Sequence, residues 1–409
     1  MKIKLFVSGA EIDATELNDC IDRIQPRPTQ PFSLHILDFL EGLSKRLSQH
    51  PKARVYPEIL ALAFWIRPAS IERLRRDFQK LQDDKSILVP RGLVFHIPPA
   101  NVDTIFIYSW VMSMVVGNGN LIRLPSDITP QLDALLSVVA KCVGELAQDN
   151  VLKRSIECVS YDHNRDVTTA ISARCDVRVI WGGDRTVSTI RGIPLSARAV
   201  ELVFPDRYSY CVVAAKAYNT LNDKEQKSVA QDFFNDAYWF DQTGCASPRI
   251  LCWSGNKNDC SRASNVFWKL LRQTIRHSSY QTELGQSLRK LGFSYGSALK
   301  ADVTSITRHM PELDVVAVDD LTDISRTHCG GGLFYEAFID SLAELTQYVE
   351  LKDQTLTHFG FDLEEIRSFA RELNGRGVDR FVPIGKALEF GRYWDGYDLL
   401  QAFSKRVSY

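Results

Sequence analysis

Hydrophobic positions along the chain follow a helical period first, and then an alternation of short apolar runs with helical stretches. Between residues 33 and 47, Leu34, Ile36, Leu37, Phe39, Leu40 and Leu43 recur at helical spacing. Residues 57–65 predict a second apolar helix. Ile71, Leu74, Phe78 and Leu81 mark one face of a third, with Ser70 as its expected cap. Residues 1–30 read as irregular or edge-like, with a break at Gln25-Pro26-Arg27-Pro28. From Val89 the pattern changes. Residues 92–97 read as a buried strand ended by Pro98-Pro99, followed by a helix from about 102 to 116, a turn at 117–120 and a strand at 121–124. A helix from about 130 to 146, a strand at 177–181 and a helix starting near Arg185 continue the series.

The same grammar begins again near Tyr208. Residues 208–215 are β-like, 223–240 helical with Asn222 as cap, and 249–253 a strand after a turn that holds Cys245. Helices follow at 267–275 and 282–291, a strand at 314–318, and Gly330-Gly331-Gly332 reads as a flexible loop. A helix at 340–348, a strand at 354–359, a helix at 363–373 and a strand at 380–383 complete the second half. Strands alternating with helices predict an α/β fold with parallel sheets, in two units of similar size. Short turns at the carboxyl ends of such strands are where ligands bind.

Composition narrows the function. Lys and Arg number 49 against 50 Asp and Glu, a net charge of −1, so no nucleic-acid partner is expected. No run reaches the ~18 apolar residues that span a bilayer. The opening Met1-Lys2-Ile3-Lys4-Leu5-Phe6 is not followed by the apolar stretch of a secretory signal, so the expected location is cytoplasmic. Nine cysteines, an odd number without a C-x-x-C pair, suggest neither a disulfide framework nor a metal site. Each is by default a small buried hydrophobe, which leaves room for one nucleophile. The chain has no G-x-G-x-x-G, no phosphate-binding P-loop, no H-E-x-x-H and no G-x-S-x-G.

Four segments carry candidate chemistry. Cys245 stands in Phe240-Asp241-Gln242-Thr243-Gly244-Cys245-Ala246-Ser247-Pro248-Arg249, where small neighbours leave room for a carbonyl; the alternative is an inert buried thiol. Asn101, after Pro98-Pro99-Ala100 at a strand-to-helix junction, is either an amide donor to an oxyanion or a helix cap. Arg123 and Ser126 close a strand and can hold a ribose or its phosphate, or simply form a turn. Gly182-Gly183-Asp184 also closes a strand and can let a dinucleotide approach, with an ordinary turn as the alternative. His96 and His163 read as structural, whereas His328 beside Cys329 is a further candidate.

Together with His96-Ile97-Pro98-Pro99-Ala100-Asn101-Val102, Gly117-Asn118-Gly119-Asn120-Leu121-Ile122-Arg123-Leu124-Pro125-Ser126, Val382-Pro383-Ile384-Gly385-Lys386-Ala387-Leu388 and Trp394-Asp395-Gly396-Tyr397-Asp398, these segments resemble the aldehyde dehydrogenase superfamily. Within it they look most like the acyl-CoA reductase branch, the fatty-acid reductases of bacterial bioluminescence (LuxC-like). The likeness runs from about residue 55 to the C-terminus. It implies an aldehyde-dehydrogenase-like α/β fold of two Rossmann-like domains with a helical N-terminal region. The implied division is a helical region at 1–88, a cofactor domain at 89–207, a catalytic domain at 208–360, and a segment at 361–409 that returns to the cofactor domain.

The resemblance also implies roles. Cys245 matches the nucleophile, and Asn101 the oxyanion-hole amide that works with the backbone N–H of Cys245. Arg123 and Ser126 match a Lys-Pro-Ser segment that binds the adenosine ribose; Arg in place of Lys suits a 2′-phosphate, so the expected cofactor is NADPH. Gly183, with Gly182, matches the loop that passes over the cofactor. The family's Glu-Leu-Gly-Gly-Lys, whose Glu activates water, corresponds to the stretch Val200-Glu201-Leu202-Val203-Phe204-Pro205-Asp206-Arg207-Tyr208; Glu201 is present, but Gly-Gly-Lys is not. The implied activity is acyl-CoA reduction through an acyl-Cys thioester, with coenzyme A as leaving group, an acyl-CoA or acyl-protein as substrate, and a fatty aldehyde as product. The implied assembly is a homo-oligomer, with an acyl-protein synthetase as a possible partner. Two alternatives remain: an NAD(P)-dependent aldehyde dehydrogenase, and a catalytically silent scaffold for such a synthetase.

Overall fold

The alternation of strands and helices resolves into two seven-stranded sheets, each in its own unit. The structure, a computed structural model, describes residues 2–24, 29–282, 284–300 and 302–409. The expected break at Gln25-Pro26-Arg27-Pro28 lies outside the described residues, as does Glu283 in the helix expected over 282–291. One unit comprises Met1–Pro205 with Phe390–Tyr409, the other Asp206–Glu389. The return to the first unit therefore falls at Phe390 rather than at 361, because residues 363–383 still build the second unit's sheet and one of its helices.

The first unit contains β1 (Lys2–Leu5), β2 (Glu11–Asp13), β3 (Ser86–Pro90), β4 (Leu93–Ile97), β5 (Gly119–Arg123), β6 (Ile156–Ser160), β7 (Val177–Trp181) and β8 (Val200–Phe204). Its large sheet runs β2-β1-β6-β5-β4-β7-β8. The five strands from β6 to β8 are parallel, and β1 and β2 add an antiparallel edge, so the opening of the chain is not purely helical. β3 pairs instead with Ser404–Ser408. Side chains alternate between two buried faces: Leu93, Phe95, Ile97, Leu121 and Ile180 pack on one, Val94, Ile122, Val177, Val179 and Trp181 on the other. That double burial is why these strands read as continuous apolar runs. His96, fully buried, has Nδ1 2.8 Å from Ser109 Oγ and Nε2 3.0 Å from Asn120 Oδ1. Burial pushes its pKa down to about 4, so it is neutral. Leu17–Ile24, expected to be irregular, is a helix, and the helix expected to be capped by Ser70 starts instead at Pro68, since a proline is well placed in a first helical turn.

The second unit contains β9 (Tyr208–Ala214), β10 (Ile250–Ser254), β11 (Val303–Met310), β12 (Leu313–Val318), β13 (Leu333–Ile339), β14 (Asp353–Phe359) and β15 (Arg380–Pro383), in the order β11-β12-β13-β10-β9-β14-β15. All pairs are parallel except β11 with β12. Cys211, Val213, Leu251, Trp253 and Phe334 face one core; Tyr210, Val212, Ile250, Cys252 and Tyr335 face the other. Both units are doubly wound. In the first, the chain builds outward from the central strand β4 and then crosses back to the other side at β7; in the second it starts at β9 and β10, goes to the far edge at β11, returns inward through β12 and β13, and crosses to the other side at β14.

Candidate active site

The carboxyl ends of β4, β5 and β7 flank the point where the first unit's strand order reverses, the position where open α/β sheets bind ligands. Five sequence-derived candidates share this edge. β4 ends at Ile97, and the helix that follows starts only at Ile105, with Thr104 in the cap position. Asn101 is therefore an exposed loop residue and not a cap. Arg123 is the last residue of β5; its guanidinium lies 4.7 Å from the Tyr161 ring centroid, with Nη2 3.3 Å from His163 Nδ1. Among the described residues no carboxylate forms an ion pair with it. Ser126 is exposed just beyond. Gly183 is the N-cap of the helix Asp184–Arg191, and a Cβ built on it meets nothing within 4 Å. At Gly182 a Cβ would come within 3.3 Å of Thr186.

Cys245 belongs to the second unit and to the opposite kind of edge. It lies in the connection from the helix Asp223–Tyr238 into β10, so it sits at the amino end of the sheet. Asn222 caps that helix by accepting from Lys224 and Glu225 N–H. After the helix, Asp241 (φ 51°) and Gln242 (φ 61°) both adopt the left-handed conformation, which is unfavourable for residues with a Cβ. The Gln242 amide, 1 % exposed, holds this turn. Its Nε2 donates to Leu333 O (2.9 Å) and Pro248 O (3.1 Å), and its Oε1 accepts from Gly332 N and Leu333 N (both 3.1 Å).

The glycine run completes the lock. Gly330, Gly331 and Gly332 have φ of 71°, 68° and 78° and are buried. A Cβ on Gly330 would stand 2.6 Å from Asp241 O, and one on Gly332 2.0 Å from Glu312 O. Gly331 N donates to Asp241 O at 3.1 Å, and Tyr280 OH donates to the Asp241 carboxylate. The run is thus a packed left-handed turn and not the flexible loop that its composition suggested. Beyond Cys245, Ser209 Oγ donates to Cys245 O at 2.6 Å, and the buried Arg249 donates Nη2 to Gly244 O and Nη1 to Arg207 O, both at 2.9 Å.

Seven of the nine cysteines are buried; Cys245 and Cys329 are half-buried. Burial pushes the Cys329 thiol up to about 11, which makes it a poor nucleophile. Beside Cys245 stands the Arg249 guanidinium. Burial works against its charge, and the charges of Tyr208, Cys245 and Asp206 favour it. By reciprocity Arg249 favours a Cys245 thiolate. His328 also lies in the field of Arg249. Burial first, and then that guanidinium, push its pKa down to about 4. Arg249 and Gln242 are the residues that sequence reasoning quoted but gave no role.

Glu201, which the resemblance aligns with the water-activating motif, is on β8 in the first unit. Arg178 donates Nε (2.8 Å) and Nη2 (2.5 Å) to its Oε2, and Arg191 Nε donates to Oε1 at 3.0 Å. Among the described residues, no group of three His, Cys, Asp or Glu side chains is arranged to hold a metal ion, and no helix is long and apolar enough to cross a membrane.

The family model of acyl-CoA reductase (LuxC) matches residues 70–406. The chain belongs to this family. No curated protein matches it in sequence. Among solved structures it is similar to an aldehyde dehydrogenase from Bacillus cereus in its NAD+ complex (11 % identity, 100 % of this chain and 96 % of that chain, TM-score 0.71). It is also similar to methylmalonate-semialdehyde dehydrogenase (DddC) from Oceanimonas doudoroffii (14 %, 98 % and 92 %, TM-score 0.70). An NAD-dependent benzaldehyde dehydrogenase from Corynebacterium glutamicum matches comparably (12 %, 99 % and 93 %, TM-score 0.66). The fold of this acyl-CoA reductase family member is therefore that of the aldehyde dehydrogenases, with two parallel-rich sheets. Family and fold together support an oxidoreductase of acyl or aldehyde substrates.

Proposed function

We propose that the protein is an NADPH-dependent acyl-CoA reductase that carries its acyl group on Cys245. The observation that bears most weight is the loop itself: a half-buried thiol on a backbone locked by Gln242 and three glycines, beside the buried cation of Arg249. Rigid support of this kind keeps a nucleophile in attacking geometry, which is a large part of rate enhancement.

The first unit's carboxyl edge suits a phosphate-bearing nucleotide. Arg123 is a half-exposed cation, and the space above Gly183 is open where a side chain would stand. Arg123 and Ser126 would hold the adenosine ribose and its 2′-phosphate, and Gly182 and Gly183 would admit the remainder of the cofactor. When bound, NADPH supplies hydride.

The chain's own residues do the rest. The Cys245 thiolate attacks the acyl carbonyl, and the backbone N–H of Cys245 meets the oxyanion; the Asn101 amide is the family's matching second donor. Such a donor is typically worth ~2.7–4 kcal/mol in the transition state. The C–S bond to coenzyme A breaks, its thiolate leaves, and a thioester remains on Cys245. After hydride has reached the thioester carbon, the thiohemiacetal on Cys245 collapses to aldehyde and releases the thiolate. Glu201 is disfavoured as a water-activating base because two arginines occupy its oxygens, which favours reduction over oxidation to acid.

The test is to supply acyl-CoA thioesters of graded chain length with NADPH or NADH, and to measure cofactor oxidation together with trapped aldehyde. The reading expects aldehyde and free coenzyme A in equal amounts. Conversion of aldehyde to carboxylic acid without coenzyme A, with no reduction of any thioester, would overturn it.

A further inference from the structure

Asp236 is a carboxylate only 1 % exposed, near the end of the helix that leads into the Cys245 loop. It accepts the backbone N–H of Gly385 at 2.6 Å and of Ala387 at 2.9 Å. From β15, Arg380 reaches the carbonyls of the same segment: Nη1 donates to Ala387 O at 3.1 Å, and Nη2 lies 3.4 Å from Lys386 O and 3.3 Å from Glu389 O. A carboxylate on the N–H side and a guanidinium on the carbonyl side thus hold one short stretch of backbone. Gly385 has φ 89°, and a Cβ there would stand 2.9 Å from Asp232 Cβ, so the stretch lies tight against the helix. At its far end, Leu388 Cδ2 is 3.5 Å from where a Gly244 Cβ would be.

We propose that Asp236 is a positioning residue for the Cys245 loop, its carboxylate holding Gly385–Leu388 so that Leu388 stays against Gly244. The ionised carboxylate accepts both N–H groups; a protonated carboxyl turns one of its oxygens into a donor and loses that capacity. Burial pushes the Asp236 pKa up to about 7. The N–H groups of Gly385 and Ala387 pull it down, the neighbouring Asp232 raises it further, and Arg380 lowers it. The Cys211 thiol on β9 also faces this carboxyl, and burial first and Asp236 after it push that thiol up; Lys386 acts on the neighbouring Asp232. The seat of the Cys245 loop is therefore firm above neutrality and loosens below it. The consequence for catalysis rests on Cys245 as the acyl acceptor; the positional claim does not.

Two measurements on the intact chain test this separately. Amide hydrogen exchange at Gly385 and Ala387, corrected for the intrinsic pH dependence, is expected to speed up as wild type is taken from pH 8 to pH 6. In Asp236→Asn it is expected to be fast at both values. Equal protection in both proteins at both pH values overturns the proposal whatever the activity. The second is the rate of Cys245 acylation by radiolabelled acyl-CoA. It is expected to fall about tenfold in Asp236→Asn and in Leu388→Ala, well inside the ~10²-fold that a small misplacement can cost. Both variants are expected to lose the inflection near pH 7, and the pH dependence of Cys245 alkylation by iodoacetamide is expected to stay unchanged. Wild-type acylation kinetics in either variant overturn the positioning role. Absence of acylation in wild type contradicts the reading of Cys245 and leaves the exchange result to judge Asp236.

Discussion

Gln242 and Leu333 exchange a pair of hydrogen bonds, the side-chain amide of one against the peptide N–H and C=O of the other, much as two facing strand residues do. Residue 333 opens β13, so the loop that carries Cys245 is stitched to the sheet by a side chain acting as a backbone. Removing it strands buried groups, each costing about 1–3 kcal/mol. Gln242→Leu should lower unfolding stability by ~2–4 kcal/mol on that basis and depress Cys245 reactivity, as read by denaturant unfolding and by alkylation of the Cys245 peptide. Stability and reactivity equal to wild type would show that the amide holds nothing.

The glycine positions should separate cleanly. Gly332→Ala places a Cβ where Glu312 O already stands and at a φ of 78°, so it should destabilise by well over ~1 kcal/mol. Gly183→Ala has a φ of −63° and open space, so its melting temperature should stay near wild type. If the space above Gly183 takes the cofactor, the same variant should bind NADPH more weakly by tryptophan quenching.

Arg123→Ala should raise KM for NADPH by about tenfold or more, and KM for NADH less, because a charge-assisted contact to a 2′-phosphate is lost only with the former. Equal effects on the two cofactors would remove the reason to assign a 2′-phosphate to Arg123.

Glu201→Gln leaves the buried Arg178 without its charged partner, which should cost ~1–3 kcal/mol of stability. Below the new melting point, acyl-CoA reduction should continue at a comparable rate. Loss of turnover without loss of stability would restore Glu201 as a base.

His96 predicts a pH effect of definite sign. Its native pKa of about 4 lies below the ordinary value of 6.5, so the unfolded chain binds the extra proton between them. The stabilisation from neutral, buried His96 is complete above pH 6.5 and is lost as the pH falls to about 4. Asp236 acts in the opposite sense: its native pKa, about 7 against 3.8, makes its contribution fall as the pH rises through that window. Stability curves of His96→Gln should therefore be flatter than wild type on the acid side; parallel curves would contradict a neutral His96.

Much of the fold was legible because its strands are buried on both faces and bounded by turn residues: 177–181 and 380–383 were read with the bounds that the structure has. β13 was missed because Glu336 interrupts its apolar run; the carboxylate is satisfied by Trp253, Ser264 and Trp268, which come from other elements and leave no local signal. β11 was missed for the opposite reason, since it is an edge strand with mostly exposed side chains. In the site, Cys245 stood out through its small neighbours. The partners that fix it did not, because Gln242 acts across 91 positions of sequence and Arg249 through a carbonyl rather than a side chain. Gly330-Gly331-Gly332 misled because composition reports conformational freedom, whereas here the glycines are demanded by close contact with Asp241 and Glu312.

The most direct test is to expose the protein to radiolabelled acyl-CoA without reductant, digest it, and locate the label by mass. The account predicts one labelled peptide, that containing Cys245, no label in Cys245→Ser, and discharge as aldehyde when NADPH is added. Label that persists in Cys245→Ser, or that resides on Cys329, would contradict it.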